Sequence, residues 1–167
     1  MTGHKLSFVM IALLTMILLG CENTAQKLEA NKNLIQRFGE AVNTADWDTL
    51  SDLLTADFSR HCQATPDTDV KSGEEFIQLQ KSFLASMPDQ KVTIDMLIAE
   101  GNKVAVYATY SGTLTGPMGK FQPTGKSAES RFLAIFRIEN DRIAEMWVEY
   151  DNMSMLTQLG LLPLPKE

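Results

Sequence analysis

Two neighbouring side chains in "FSRHCQATPDTD" could carry chemistry: the imidazole of His61 and the thiol of Cys62. The second histidine, His4, falls in a segment expected to be removed, so His61 is the one imidazole left for a catalytic base, a metal ligand or a core position. Neighbours in an extended segment point to opposite faces, so His61 is badly placed to activate Cys62, and the thiol reads as a small buried apolar group. Zinc needs several His or Cys ligands at turn or helix spacing, and the mature chain offers one of each. Asp67 and Asp69 lack the pattern of a calcium loop. No metal and no cofactor is implied. In "GKFQPTGKS" five residues separate Gly119 from Gly125, where a phosphate-binding loop has four and sits between a strand and a helix. No serine stands on a G-x-S-x-G elbow.

The elements that must position these groups come in two blocks. "KLEANKNLIQRFGEAVNT" places Leu34, Ile35, Phe38, Ala41 and Val42 at helical spacing and ends near Asn43. Asp46 can cap a short helix over "WDTLSDLL" with Trp47, Leu50, Leu53 and Leu54 inward. "ADFSRHC" reads as a short extended piece. Ser72 and Glu75 form a capping box for "GEEFIQLQKSFLASM", closed by Pro88. Strand patterns follow: "KVTIDMLIAE", a Gly-Asn turn, "KVAVYATYSGTL", a Gly/Pro-rich loop, "SAESRFLAIFRIE", an Asn-Asp turn, and "RIAEMWVEYD". "MSMLTQLG" closes the domain as a short helix. Helices first and an antiparallel meander afterwards make an α+β domain.

The amino-terminal end points to the cell envelope. "MTGHK" is a short basic start, "LSFVMIALLTMILLG" is apolar but short for a membrane span, and the run stops at Cys21. "LLGC" resembles the bacterial lipobox, which implies a signal peptide over 1–20, lipid on Cys21, a polar tether over 21–29 and a domain over 30–162 before a tail at 163–167. The expected place is the bacterial cell envelope, lipid-anchored outside the cytoplasmic membrane and facing the periplasm. Loss of Lys5 with the signal takes the formal charge from −6 to −7. An acidic chain without a basic stripe excludes nucleic acid as a partner. With Cys21 lipidated, Cys62 has no partner for a disulfide.

Asp151 emerges from the last hairpin. With Asn140 and Asp141 as the turn, regular pairing sets Phe132, Phe136, Ile138, Ile143, Trp147 and Asp151 on one face. Arg131, Leu133, Ile135, Arg137, Met146, Val148 and Tyr150 fall on the other. Glu145 and Glu149 share the apolar side, a conflict that a bulge would resolve. "DNMSM" equally makes Asp151 a helix cap. The second face, with Leu133, Ile135, Val148 and Tyr150, suggests a homodimer.

The stretch "IFRIENDRIAEMWVEYDNMSMLTQLG", with "EGNKVAVYATYSGTLTG", "PTGK" and "ADFSRHCQATPD", resembles the SnoaL-like polyketide cyclases, or ester cyclases, of the nuclear transport factor 2-like superfamily. The resemblance covers about residues 30 to 160. It implies a cone of three helices on a curved antiparallel sheet, enclosing an apolar pocket lined here by Phe38, Phe132, Phe136 and Trp147. It also implies that Asp151 is the acid/base of an intramolecular aldol closure and that His61 orients or polarises the substrate. Desolvation would lift the Asp151 pKa toward the working range, and the imidazole would meet the developing oxyanion. Many members carry a histidine before the tryptophan, where this chain has Met146. Epoxide hydrolysis by an Asp-Arg-Asp set needs an arginine inside the pocket, and Arg131 and Arg137 are expected outside it. The alternative from another class is a lipid-anchored carrier that holds an apolar small molecule without turnover.

Overall fold

The first helix is much longer than its apolar spacing requires. The computed structural model describes residues 3–65 and 70–162, with side chains from residue 24 onward. In it α1 runs unbroken from Gly3 to Thr44. At 1.5 Å per residue this is a rod of roughly 63 Å. Residues 24–29, expected as a tether, are helical and mostly exposed. The side chain of Cys21, those of Asp67 and Asp69, and the 163–167 tail lie outside the described residues. Among the described residues, no helix is long and apolar enough to cross a membrane.

The carboxyl-terminal half of α1 buries the stripe Leu34, Ile35, Phe38, Ala41 and Val42, as its spacing dictates. Asp46 opens α2 (Trp47–Leu53) by accepting from the Thr49 amide at 3.0 Å. Ser72 opens α3 (Gly73–Ser86) by accepting from the Glu75 amide at 3.1 Å. The return half of the capping box differs. The Glu75 carboxylate accepts from the Lys71 amide at 2.7 Å, one residue before the expected partner.

Five strands follow in the order β1-β5-β4-β3-β2 across one sheet. They are β1 (Leu54–His61), β2 (Lys91–Glu100), β3 (Lys103–Thr113), β4 (Ser127–Glu139) and β5 (Arg142–Tyr150), with α4 (Asn152–Gln158) last. β2 to β5 form the expected meander. β1 makes the sheet mixed, because it lies parallel to β5. That pairing is open to strands joined by a long crossover, here α3 and the whole meander.

Register shifts bend the sheet. One lies at Asp95 in β2, one between Leu54 and Ser59 in β1, and one in β5. Each disturbs the ladder and raises local twist, giving a curved sheet that closes over the helices without becoming a barrel. The free edge of β2 is covered at one point by Asn43, whose amide exchanges two hydrogen bonds with Val92, at 2.8 and 2.7 Å. This side chain substitutes for a neighbouring strand.

The shift in β5 corrects the expected hairpin faces. Ile138 pairs with Ile143 as expected, but Arg137 pairs with Glu145, Phe136 with Met146 and Ile135 with Trp147. Ala144 is the extra residue, and beyond it every side chain changes sides. Phe132, Ala134, Phe136 and Ile138 therefore share the concave face with Met146, Val148 and Tyr150. Trp147, Glu145 and Glu149 join Leu133 and Ile135 outside. The conflict of two glutamates on an apolar face disappears.

Candidate functional site

The outer face holds His61. Its ring stacks on Trp147, with centroids 5.5 Å apart and an interplanar angle of 20°. Its Nε2 meets Glu145 Oε1 at 2.8 Å, and Glu145 Oε2 accepts from Arg137 Nε at 2.9 Å. Arg137 Nη1 also donates to Glu139 at 2.8 Å. Hydrogen bonding from Arg137 holds the Glu145 carboxyl below its ordinary value against the opposing effect of burial, with help from His61. This is a surface ion network that fastens β1 to β5 and β4.

Asp151 sits elsewhere. It is exposed, and its Oδ1 accepts from the Ser154 amide at 2.8 Å as the cap of α4. His61 is paired with Trp147, four residues before Asp151. At about 3.3 Å per residue along a strand, that offset is ~13 Å. The expectation that the two side chains meet, directly or through one water, is corrected: neither contact spans that gap. Trp147, expected in the pocket, is likewise corrected to the outer face by the Ala144 bulge.

The other expected pocket residues do face inward. Phe38 packs on Phe136 edge-on at 5.3 Å and on Phe76 at 5.7 Å. These rings fill the deep end of the cone as core. Phe132 is half-buried nearer its mouth, opposite Tyr150 in the ladder.

Near Phe132 and Tyr150 lies a polar group of residues that sequence reasoning missed. Phe58 and Arg60 alternate inward along β1, while Ser59 and His61 face out. Arg60 is only 5 % exposed, and its backbone is fixed by donation to the Val70 carbonyl at 3.1 Å. Its Nη1 has no hydrogen-bond partner among the described residues. Thr65 Oγ1 is buried and unpartnered as well. Burial raises the Tyr150 phenol, while Thr65 and Arg60 oppose the rise and Cys62 adds to it. Burial likewise drives the Tyr110 phenol well above its ordinary range, with Tyr150 as the second cause. Tyr110 donates to Gln90 Oε1 at 2.9 Å, leaving the buried Gln90 Nε2 without a partner. Both phenols are thus neutral hydrogen-bonding groups at working pH. A signal for Arg60 existed in the sequence: once "ADFSRHC" is extended, Arg60 shares a face with Phe58.

A separate open groove of about 410 Å³ runs beside α4, lined by Asp89, Ser111, Thr113, Ser127, Glu129 and Gln158. Several of its polar groups are engaged. Asp89 accepts from the Thr113 amide at 2.7 Å and hydroxyl at 2.6 Å, and Gln158 bonds both ways with the Glu129 backbone. Among the described residues, no group of three or more His, Cys, Asp or Glu could hold a metal ion.

Helices packed against a curved, unclosed five-stranded sheet define the nuclear transport factor 2-like class. Within it, the sequence model for SnoaL-like polyketide cyclases matches residues 32–159, and the chain belongs to that family. No curated protein matches the sequence. Among solved structures, the chain is 29 % identical to IdmH of Streptomyces antibioticus, a proposed polyketide cyclase, over 78 % of this chain and 98 % of that one, with a TM-score of 0.70. AclR of Streptomyces galilaeus, a proposed hydroxylase, is 24 % identical over 83 % and 91 %, at 0.71. An LEH-like epoxide hydrolase of M. tuberculosis is 17 % identical over 80 % and 91 %, at 0.65. The last two share the fold alone. Proteins described with three different activities share this scaffold, and a fold does not by itself select the chemistry.

Proposed function

We propose that this chain is a lipid-anchored envelope protein that binds an apolar small molecule bearing a hydrogen-bonding group, at the mouth of the cone, without turning it over. The observation that carries the reading is that, of four buried side-chain polar atoms without partners among the described residues, three besides Thr55 Oγ1 belong to this inner group: Arg60 Nη1, Thr65 Oγ1 and Gln90 Nε2. Such atoms are costly in isolation and rare in native proteins, and a ligand's polar group would satisfy them. Acid–base turnover by His61 and Asp151 acting together is not supported, since one is tied to Glu145 outside and the other caps α4. The anchor rests on "LLGC" at Leu18 to Cys21. It places the cone outside the cytoplasmic membrane, facing the periplasm.

The test is mass spectrometry of whatever co-purifies with the full chain, before and after incubation. We expect the same molecule at both times, from wild type and from Asp151→Asn alike. Conversion by wild type alone would replace the carrier with an aldol-type cyclase. The Cys21→Ala protein should leave the membrane fraction, and its retention there after a high-salt wash would remove the anchor from the reading.

A further inference from the structure

We infer that Arg60 is the anion-recognising group of the cone, and that the molecule it takes is a small organic acid bound through its carboxylate. This rests on the small-molecule reading above and adds the charge of the ligand.

Among the described residues, the buried polar side chains are Asn31, Arg60, Ser86, Gln90 and Ser130, and Arg60 is the one that carries a charge. A guanidinium does not lose its proton in a protein, so burial cannot be relieved by neutralisation. It must be paired, or it stays expensive. Among the described residues Arg60 has a neutral neighbour in the Tyr150 phenol and no carboxylate, and its Nη1 reaches no acceptor. Glu145 and Glu139 are bound to Arg137 on the other side of the sheet.

The groups around Arg60 then set the class of anion. Thr65 and Arg60 both lie close enough to Tyr150 to oppose the rise that burial gives its phenol, and Thr65 and Tyr150 are neutral hydroxyls that can donate to a second oxygen. One cation with neutral donors matches a monoanion. A phosphate dianion would keep a second charge unmatched. A carboxylate uses the geometry best, because an N–H from Arg60 and an O–H from Tyr150 or Thr65 can each take one of its oxygens. Phe132, opposite Tyr150 in the ladder, and the half-buried Cys62 give the carbon part of the acid an apolar wall.

The experiment titrates the full-length protein in detergent with straight-chain carboxylates of two to six carbons, each beside the primary amide of the same length, by calorimetry. At least one carboxylate should bind ten or more times tighter than its amide. Arg60→Met should erase that preference while melting no lower than wild type when no acid is present. Arg60→Lys should retain a weaker preference, since it keeps the charge and loses the planar fork. Acid and amide binding equally well to wild type would overturn the inference and leave the small-molecule reading standing. Binding of neither would overturn both. A preference that survives in Arg60→Met would remove Arg60 as the recognising group.

Discussion

Asp151 and Glu145 show how a carboxylate can look chemical in a sequence and act structurally in the fold. Asp151 accepts from the amide that opens α4, a task asparagine performs equally well. Asp151→Asn should therefore unfold at the same denaturant concentration as wild type, whereas Asp151→Ala should lose about 1 kcal/mol. Equal losses in both variants would point to a role for the charge itself. Glu145 makes a different forecast. Its carboxyl is held below its ordinary value of 4.5, first by the hydrogen bond from Arg137. A group with a depressed folded pKa contributes stability that is fully present above the unfolded value and is lost as pH falls through the folded one. Glu145→Gln should accordingly flatten the acid limb of the stability curve below about pH 4.5 while costing ~1 kcal/mol or less near neutrality, the scale of a partly exposed pair. Melting curves of the two proteins between pH 3 and 7 would separate these behaviours.

At the scale of elements, periodicity and caps were legible, and register was not. The apolar stripe of α1, the caps Asp46 and Ser72, and both tight turns follow from local spacing. The Asn-Asp turn takes positive φ at both residues, 49° and 59°, as such a turn requires. The face of Trp147 could not be read this way, because one bulged residue, Ala144, inverts everything beyond it. The clue was the pair of glutamates that a regular hairpin put among phenylalanines. Arg60 escaped notice for a related reason: its strand is short, and its partner β5 lies far along the chain. A loop element carries its own prediction. Thr115 and Gly116 both donate to the Ser86 carbonyl, at 3.1 and 2.9 Å, strapping the end of α3 to the turn before β4. A Cβ on Gly116 would run into the Ala85 carbonyl, with the Ser86 backbone 3.2 Å away. Since both obstacles are backbone, Gly116→Ala should cost about 1–3 kcal/mol in chemical denaturation, the usual scale of overpacking.

For the molecule as a whole, the outer face suggests an assembly. Ile98, Ala105, Ile135, Trp147 and His61 stand in one register row across the sheet, with Met96, Tyr107 and Leu133 in the next. Ile98 and Leu133 are 59 % and 60 % exposed. A contiguous apolar face of this kind marks an interaction surface, and we propose that a second copy covers it. Val148 and Tyr150, once expected there, belong to the interior. Light scattering should give a dimer for wild type and a monomer for Leu133→Glu; a wild-type monomer at micromolar concentration would reject the assembly. The parallel ladder between β1 and β5 has a further consequence, in the timing of folding. His61 and Glu145 are 84 positions apart, whereas the other three ladders, β2–β3, β3–β4 and β4–β5, join neighbours in sequence. Loops that long close slowly relative to hairpins. A chain emerging amino terminus first therefore exposes β1 as an unpaired edge until its last strand arrives. Any product that stops short of Ile143 keeps that edge open to aggregation for good.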